Sequence, residues 1–216
     1  GVTLNSALYA SGNITVNGVS AQAGIDYSVA IFSKNGDVTL NGASTANRGV
    51  YNSVASTITG NNITIIGATS AINYWTSQIG ALTVNSTAIG GSISVTGNVL
   101  NTAAAAYGVY QAGAIAGASG SNMSFISNKS IDQNGTITLA INTSGNAANI
   151  TYNTTTGNST STISTGPISL AAGSTSGINY SVLSAGSAIT IGGAVAVPGA
   201  ITLDNTFGCS SSGCTA

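Results

Sequence analysis

One short phrase recurs along the whole chain: an apolar residue, a hydroxyl residue and a second apolar residue, bounded by small or turn-forming residues. It stands as Ile14-Thr15-Val16, Val38-Thr39-Leu40, Ile63-Thr64-Ile65, Leu82-Thr83-Val84 and Ile93-Ser94-Val95. It returns as Ile137-Thr138-Leu139, Ile168-Ser169-Leu170, Ile189-Thr190-Ile191 and Ile201-Thr202-Leu203, with a weaker copy at Met123-Ser124-Phe125. A second phrase intervenes at Gly24-Ile25-Asp26-Tyr27, Gly49-Val50-Tyr51, Ile72-Asn73-Tyr74-Trp75, Gly108-Val109-Tyr110 and Gly177-Ile178-Asn179-Tyr180. The step from Gly24 to Gly49 equals the step from Val38 to Ile63, so the two phrases advance together. A shared step of this kind marks a repeat architecture.

Within each phrase the apolar side chains alternate with a hydroxyl, the period of a half-buried strand: Ile, Val and Leu inward, Thr and Ser outward. Flanking Gly and Asn tolerate the backbone of tight turns. No stretch sustains a helical apolar spacing, and the one tempting spot, Ala103 to Ala106, is cut short by Gly108. The chain is therefore expected to be all-β with essentially no helix. Its strands would coil so that each turn stacks in parallel on the one before, as a β-solenoid, or β-helix. A β-sandwich is the alternative, with Asn17-Gly18, Asn35-Gly36 and Asn41-Gly42 as hairpin turns. Near-constant spacing of like phrases favours the solenoid. Taking roughly 22 residues per coil, about ten coils fit, and at ~4.8 Å per coil they make a rod on the order of 45–50 Å long.

Charge excludes much of function. Only 3% of the 216 residues are charged, three cations against four aspartates, with no His; an ordinary domain is about a quarter charged. General acid–base catalysis and metal ligation draw mainly on His, Glu, Asp, Lys and Cys, and here there is no His or Glu and only four Asp and two Lys. A nucleic-acid footprint needs clustered cations, and three scattered ones do not supply it. No apolar run approaches the length of a spanning helix. A β-helix invites the idea of a polysaccharide-degrading enzyme, but hydrolysis there needs paired carboxylates. Asp26 and Asp37 can lie near each other, whereas Asp132 and Asp204 are remote. The expectation is a chain with no catalytic residue, no cofactor and no metal.

The phrases Gly12-Asn13-Ile14-Thr15-Val16-Asn17-Gly18, Asn35-Gly36-Asp37-Val38-Thr39-Leu40-Asn41-Gly42 and Gly91-Ser92-Ile93-Ser94-Val95-Thr96-Gly97 resemble the repeats of filamentous-haemagglutinin-type exoproteins of Gram-negative bacteria. So do the Gly-Val-Tyr and Gly-Ile-Asn-Tyr phrases between them. The resemblance covers nearly the whole chain. It implies a right-handed parallel β-helix, export by two-partner secretion, attachment at the cell surface, and a part in adhesion or biofilm structure. Both ends look cut, and Gly1-Val2-Thr3-Leu4 reads as the middle of a strand, so residues 1–216 are expected to be one repeat-built segment of a longer chain. The implied role is a non-catalytic, structural or adhesive stalk. The alternative is a subunit that assembles end to end into an extracellular filament. Implied partners are further solenoid repeats or like subunits, and surface glycans or the host or biofilm matrix, without nucleic acid and without membrane insertion.

Four local features carry chemistry on this reading. Cys209 and Cys214, four small residues apart, form a disulfide in an oxidising compartment and close a tail over 207–216. A free or intermolecular pair is the alternative, and some related adhesins end in a cysteine-closed loop that plugs the transporter. Asn-x-Ser/Thr triplets begin at Asn13, Asn62, Asn85, Asn122, Asn128, Asn134, Asn142, Asn149, Asn153, Asn158 and Asn179. They are candidate glycan acceptors, or else members of stacked Asn ladders. Tyr27, Tyr51, Tyr74, Trp75, Tyr110 and Tyr180 recur in the second phrase and would form an aromatic stripe, binding sugar rings or packing at a corner. Thr15, Thr39, Thr64, Thr83 and Ser94 would line a flat hydroxyl face resembling those of ice-binding solenoids. Uncharged, Thr-rich 149–165 reads as a longer loop or a set of irregular, polar coils.

Overall fold

A computed structural model describes residues 1–54, 56–70, 75–84, 91–100, 107–117, 121–133, 135–139, 149–155, 162–170, 177–182 and 189–205. These form three eight-stranded sheets in which every third strand of the chain is a neighbour. The chain thus visits sheets one, two and three in turn, rises by one strand and repeats, which is a parallel β-solenoid. Among the described residues there is no helix.

The alternation read from the phrases sets the faces. In Ile14–Ser20 burial alternates residue by residue, and Ile14, Val16 and Gly18 pair with Val38, Leu40 and Gly42 of the next coil. These continue to Ile63, Ile65 and Gly67. Like stacks on like, so the core is a set of parallel columns. The third sheet supplies Val16, Leu40, Ile65, Val95, Phe125, Tyr152 and Tyr180, all buried and each in register with the next. The first sheet adds Ile25, Val50, Val109, Ile131 and Ile163, and the second Ile31, Ile58, Leu82, Ile115, Ile137 and Ile168. Asn17-Gly18 and Asn41-Gly42 lie inside paired strands, and Asn35-Gly36 sits at the corner between Ile31–Ser33 and Val38–Ser44, which belong to different parallel sheets, so none of the three closes a hairpin.

The described residues form eight coils rather than about ten. The coils are unequal, and most are longer than the even spacing assumed from the phrases. Ile115 pairs upward with Ile137 and downward with Leu82, yet the chain from Leu82 to Ile115 is half as long again as that from Ile115 to Ile137. Corners absorb the difference while the strands hold register. Of the 149–165 stretch expected to be irregular, Asn149–Thr154 is a strand of the third sheet and Ile163–Thr165 a strand of the first. Residues 156–161 and the tail over 207–216 lie outside the described residues.

Candidate functional site

The first candidate, the aromatic stripe, is divided between faces and sheets. Tyr27 lies on the first sheet and is fully buried. Tyr51 and Tyr110 also lie on the first sheet, but on its outer face, each in register with Gln78 between them. Tyr180 belongs to the third sheet and points into the core. The cause is a one-residue offset: Tyr27 and Tyr180 stand three residues after their glycine, Tyr51 and Tyr110 two, and a shift of one reverses the face of a strand residue. Trp75 pairs with Tyr107 by backbone register. Tyr74 lies outside the described residues.

What the structure builds instead is an internal stack. Phe125, Tyr152 and Tyr180 occupy successive coils with ring centroids 5.1 Å apart at each step and nearly parallel planes. Tyr152 donates its hydroxyl to Gln133 Oε1 (3.0 Å), and the Tyr180 hydroxyl lies 3.5 Å from that of Thr165. Burial holds the phenols of Tyr27, Tyr152 and Tyr180 above their ordinary pKa, opposed at Tyr27 by the Gly80 N–H and at Tyr180 by the Thr165 hydroxyl. The shared position of Phe125 and Tyr152, two residues after Met123 and Ile150, was the available sequence signal.

Several candidate glycan acceptors form a ladder at the entry to the third sheet. Asn13 Oδ1 accepts the Asp37 N–H (2.9 Å), and Asp37 Oδ1 accepts both the Asn62 N–H (3.1 Å) and the Asn62 side-chain amide (2.8 Å). Asn62 Oδ1 then accepts from the Ser92 N–H and hydroxyl, and Asn122 Oδ1 from the Asn149 N–H. Each side chain satisfies a backbone donor at the first residue of the strand above it or the residue just before it, where the preceding corner leaves that donor without a sheet partner. Asn128 brackets Val99, accepting its N–H and donating to its C=O, both at 2.8 Å. Asn153 and Asn179 point out of the third sheet, and Asn179 is exposed. Asn85, Asn134, Asn142 and Asn158, with Cys209 and Cys214, lie outside the described residues.

The hydroxyl face is partly assembled. Thr15, Thr39, Thr64 and Ser94 form one outward column on the third sheet, continued by Ser124 and Thr151. Thr83 belongs to the second sheet. The aspartates are separated: Asp26 and Asp132 share an outward column of the first sheet, with Tyr51 and Tyr110 between them and Gln78 in backbone register. Asp37 belongs to the ladder, and Asp204 lies on the third sheet. Arg48 stands 4.3 Å from the centre of the Tyr51 ring, a cation–π contact.

Sequence reasoning passed over an exposed aromatic pair. Tyr9 and Phe32 are in register on the outer face of the second sheet, 73% and 37% exposed, with ring centroids 6.1 Å apart. Neither belongs to a recurring phrase, and only the register brings them together.

Comparison with protein-family models, curated proteins and solved structures gives no significant match.

Proposed function

We propose that this chain is a non-catalytic stalk segment of an exported bacterial cell-surface or biofilm exoprotein of the filamentous-haemagglutinin type, in which the solenoid extends and presents surface. The observation that carries the reading is the uninterrupted stacking of one three-sheet plan over eight coils. Such a structure grows by adding coils and encloses nothing, and its stability is a sum of nearest-neighbour terms. The outer faces support it. They are built of Thr, Ser and Asn with few charges, a surface that hydrates without repelling neighbouring rods. Export and surface attachment rest on the repeat resemblance. The test is the intact mass of the polypeptide in its source cell, with surface labelling of unbroken cells. A chain much larger than 20.9 kDa that labels from outside supports the stalk, and an intact mass near 20.9 kDa removes it.

A filament subunit is the second reading, and one observation favours it. Ile201 and Leu203 occupy inward positions above Ile178 and Tyr180, yet are 45% and 57% exposed. Among the described residues no coil covers the column at this level, and a further coil, from the same chain or a second copy, would do so. Concentration-dependent growth of long rods from the purified chain, seen by sedimentation and electron microscopy, supports the filament; a monomer at all concentrations opposes it.

A further inference from the structure

The corner between the first and second sheets has a step in it. In the third coil four residues, Ser53 to Ser56, separate the strands Val50–Asn52 and Thr57–Gly60. In the fifth, three residues, Ala112 to Ala114, separate Tyr107–Gln111 from Ile115–Gly117. In the fourth, Gly80 alone joins Trp75–Ile79 to Ala81–Val84. A one-residue corner between two longer ones leaves a notch of about 500 Å³, walled by Asn52, Ser56, Thr57, Ile79, Ala112 and Ala114 with Gly80 as its floor. That is within the usual range of small-molecule sites, about 300–1,000 Å³.

The floor admits only glycine. A Cβ on Gly80 would lie 2.6 Å from Asn52 Oδ1 and 2.7 Å from the Ser56 carbonyl oxygen. Beneath it, the Tyr27 hydroxyl accepts the Gly80 N–H at 3.4 Å. Asn52 is 8% exposed, and its amide nitrogen is committed to the Tyr27 carbonyl (3.0 Å) and to Ser56 Oγ (2.7 Å). Its carbonyl oxygen is left as an acceptor on the floor side. Ser56 Oγ already accepts, so its hydroxyl proton is a donor. Thr57 adds a hydroxyl, Ile79 and the two alanines add apolar wall, and no charged residue lines the notch.

A second feature lies on the same side of the rod. Thr57 is two residues before Thr59, and Thr59 is in register with Phe32, which is in register with Tyr9. The aromatic pair therefore begins two coils below the notch floor, about 10 Å along the axis at ~4.8 Å per coil.

We propose that the notch binds one residue of a neutral saccharide, whose chain continues along the second sheet over Phe32 and Tyr9. A neutral sugar presents several hydroxyl donors and acceptors around an apolar C–H face. The notch offers the Asn52 acceptor, the Ser56 donor and an apolar wall with no charge to satisfy, and exposed rings offer flat apolar area to the next residues. The inference deepens the stalk reading by giving the rod a ligand, and rests on it for the source of that ligand.

The experiment titrates the ¹⁵N-labelled chain with glucose, galactose and N-acetylglucosamine, with their β-linked tri- and tetrasaccharides, and with glucuronate as the charged control. Shifts confined to Gly80, Ser56 and Ala112 amides, saturating for at least one neutral sugar with Kd on the order of 1–10 mM, are expected. Ala112→Leu, an exposed wall position, fills the notch without touching the fold and should weaken binding at least tenfold. Asn52→Ala should do the same, with circular dichroism to verify the rod. Phe32→Ala should weaken only the oligosaccharides, by about five- to tenfold. Absence of notch shifts with every probe, binding unaffected by Ala112→Leu, or tighter binding of glucuronate than of any neutral sugar would each overturn the proposal. A folded rod that binds nothing leaves the stalk reading standing, whereas a small intact mass with intact sugar binding removes the stalk and keeps the notch.

Discussion

A Cβ built on Gly42 would lie 2.1 Å from the carbonyl oxygen of Gly49, and one built on Gly49 would lie 2.6 Å from the carbonyl oxygen of Gly42. The same approach joins Gly18 to Gly24 at 2.0 Å and Gly97 to Gly108 at 2.7 Å. The glycine that follows the Ile-Thr-Ile phrase therefore meets the glycine that opens the Gly-Val-Tyr phrase, across the corner between the third sheet and the first. This contact is why the two phrases travel together in the sequence.

Because the opposing atoms are backbone, they cannot swing aside. Gly42→Ala is expected to destabilise the rod by at least about 1–3 kcal/mol through overpacking, read as a lower urea midpoint. Gly12→Ala is the control, since nothing lies within 4 Å of a Cβ there; it should change stability by less than about 0.5 kcal/mol. Equal effects of the two substitutions would refute the corner contact.

The ladder makes a different demand, for an acceptor rather than a charge. Asp37 Oδ1 takes two hydrogen bonds from Asn62. Asp37→Asn keeps an oxygen at that place and is expected to retain most of the stability. Asp37→Ala removes both bonds and should cost about 1–3 kcal/mol at roughly 0.5–1.5 kcal/mol each. Thermal melts of the two variants beside the parent decide it, and an Asn variant as weak as the Ala variant would show that charge, not geometry, holds the corner.

Much of this fold was legible because strand alternation is a local property. Ile14-Thr15-Val16 declares which side chains face inward without reference to any partner, and repetition then implies stacking. The same phrase does not declare its sheet: Ile63-Thr64-Ile65 lies in the third sheet, Ile137-Thr138-Leu139 in the second and Ile189-Thr190-Ile191 in the first. Counting coils from the phrases therefore ran somewhat high, since corner lengths carry no periodic signal. The aromatic stripe failed for a related reason, one residue of offset between Tyr27 and Tyr51. The notch arises from the relative lengths of three corners on successive coils, and only the strand register brings Gly80 against Asn52 and Ser56.

Phe125, Tyr152 and Tyr180 form a fully buried stack, and Tyr152 is its middle member. Tyr152→Ala should destabilise by about 3–5 kcal/mol. A double-mutant cycle of Phe125→Leu with Tyr152→Leu should leave a coupling of about 0.5–1.5 kcal/mol. Strict additivity in urea unfolding would mean that the rings are merely adjacent.

Alkali tests the same residues by titration. Burial raises the phenol pKa of Tyr27, Tyr152 and Tyr180 above the 10.0 they have in an unfolded chain. Below about pH 10 both states hold their phenol protons, so these groups contribute no pH dependence there. As pH rises above 10, the unfolded chain releases protons that the fold retains, so stability falls until the raised folded values are reached. Each such tyrosine steepens the fall by up to about 1.4 kcal/mol per pH unit. Tyr152→Phe keeps the ring stack but removes one titrating group. It should weaken the rod at neutral pH by about 1–3 kcal/mol, because Gln133 Oε1 loses its donor, and should make the alkaline decline shallower. Far-ultraviolet circular dichroism gives the unfolding curve, and tyrosinate absorbance counts ionised phenols. If all the phenols ionise near pH 10 while the strands stay folded, these three tyrosines are not held in the core as described.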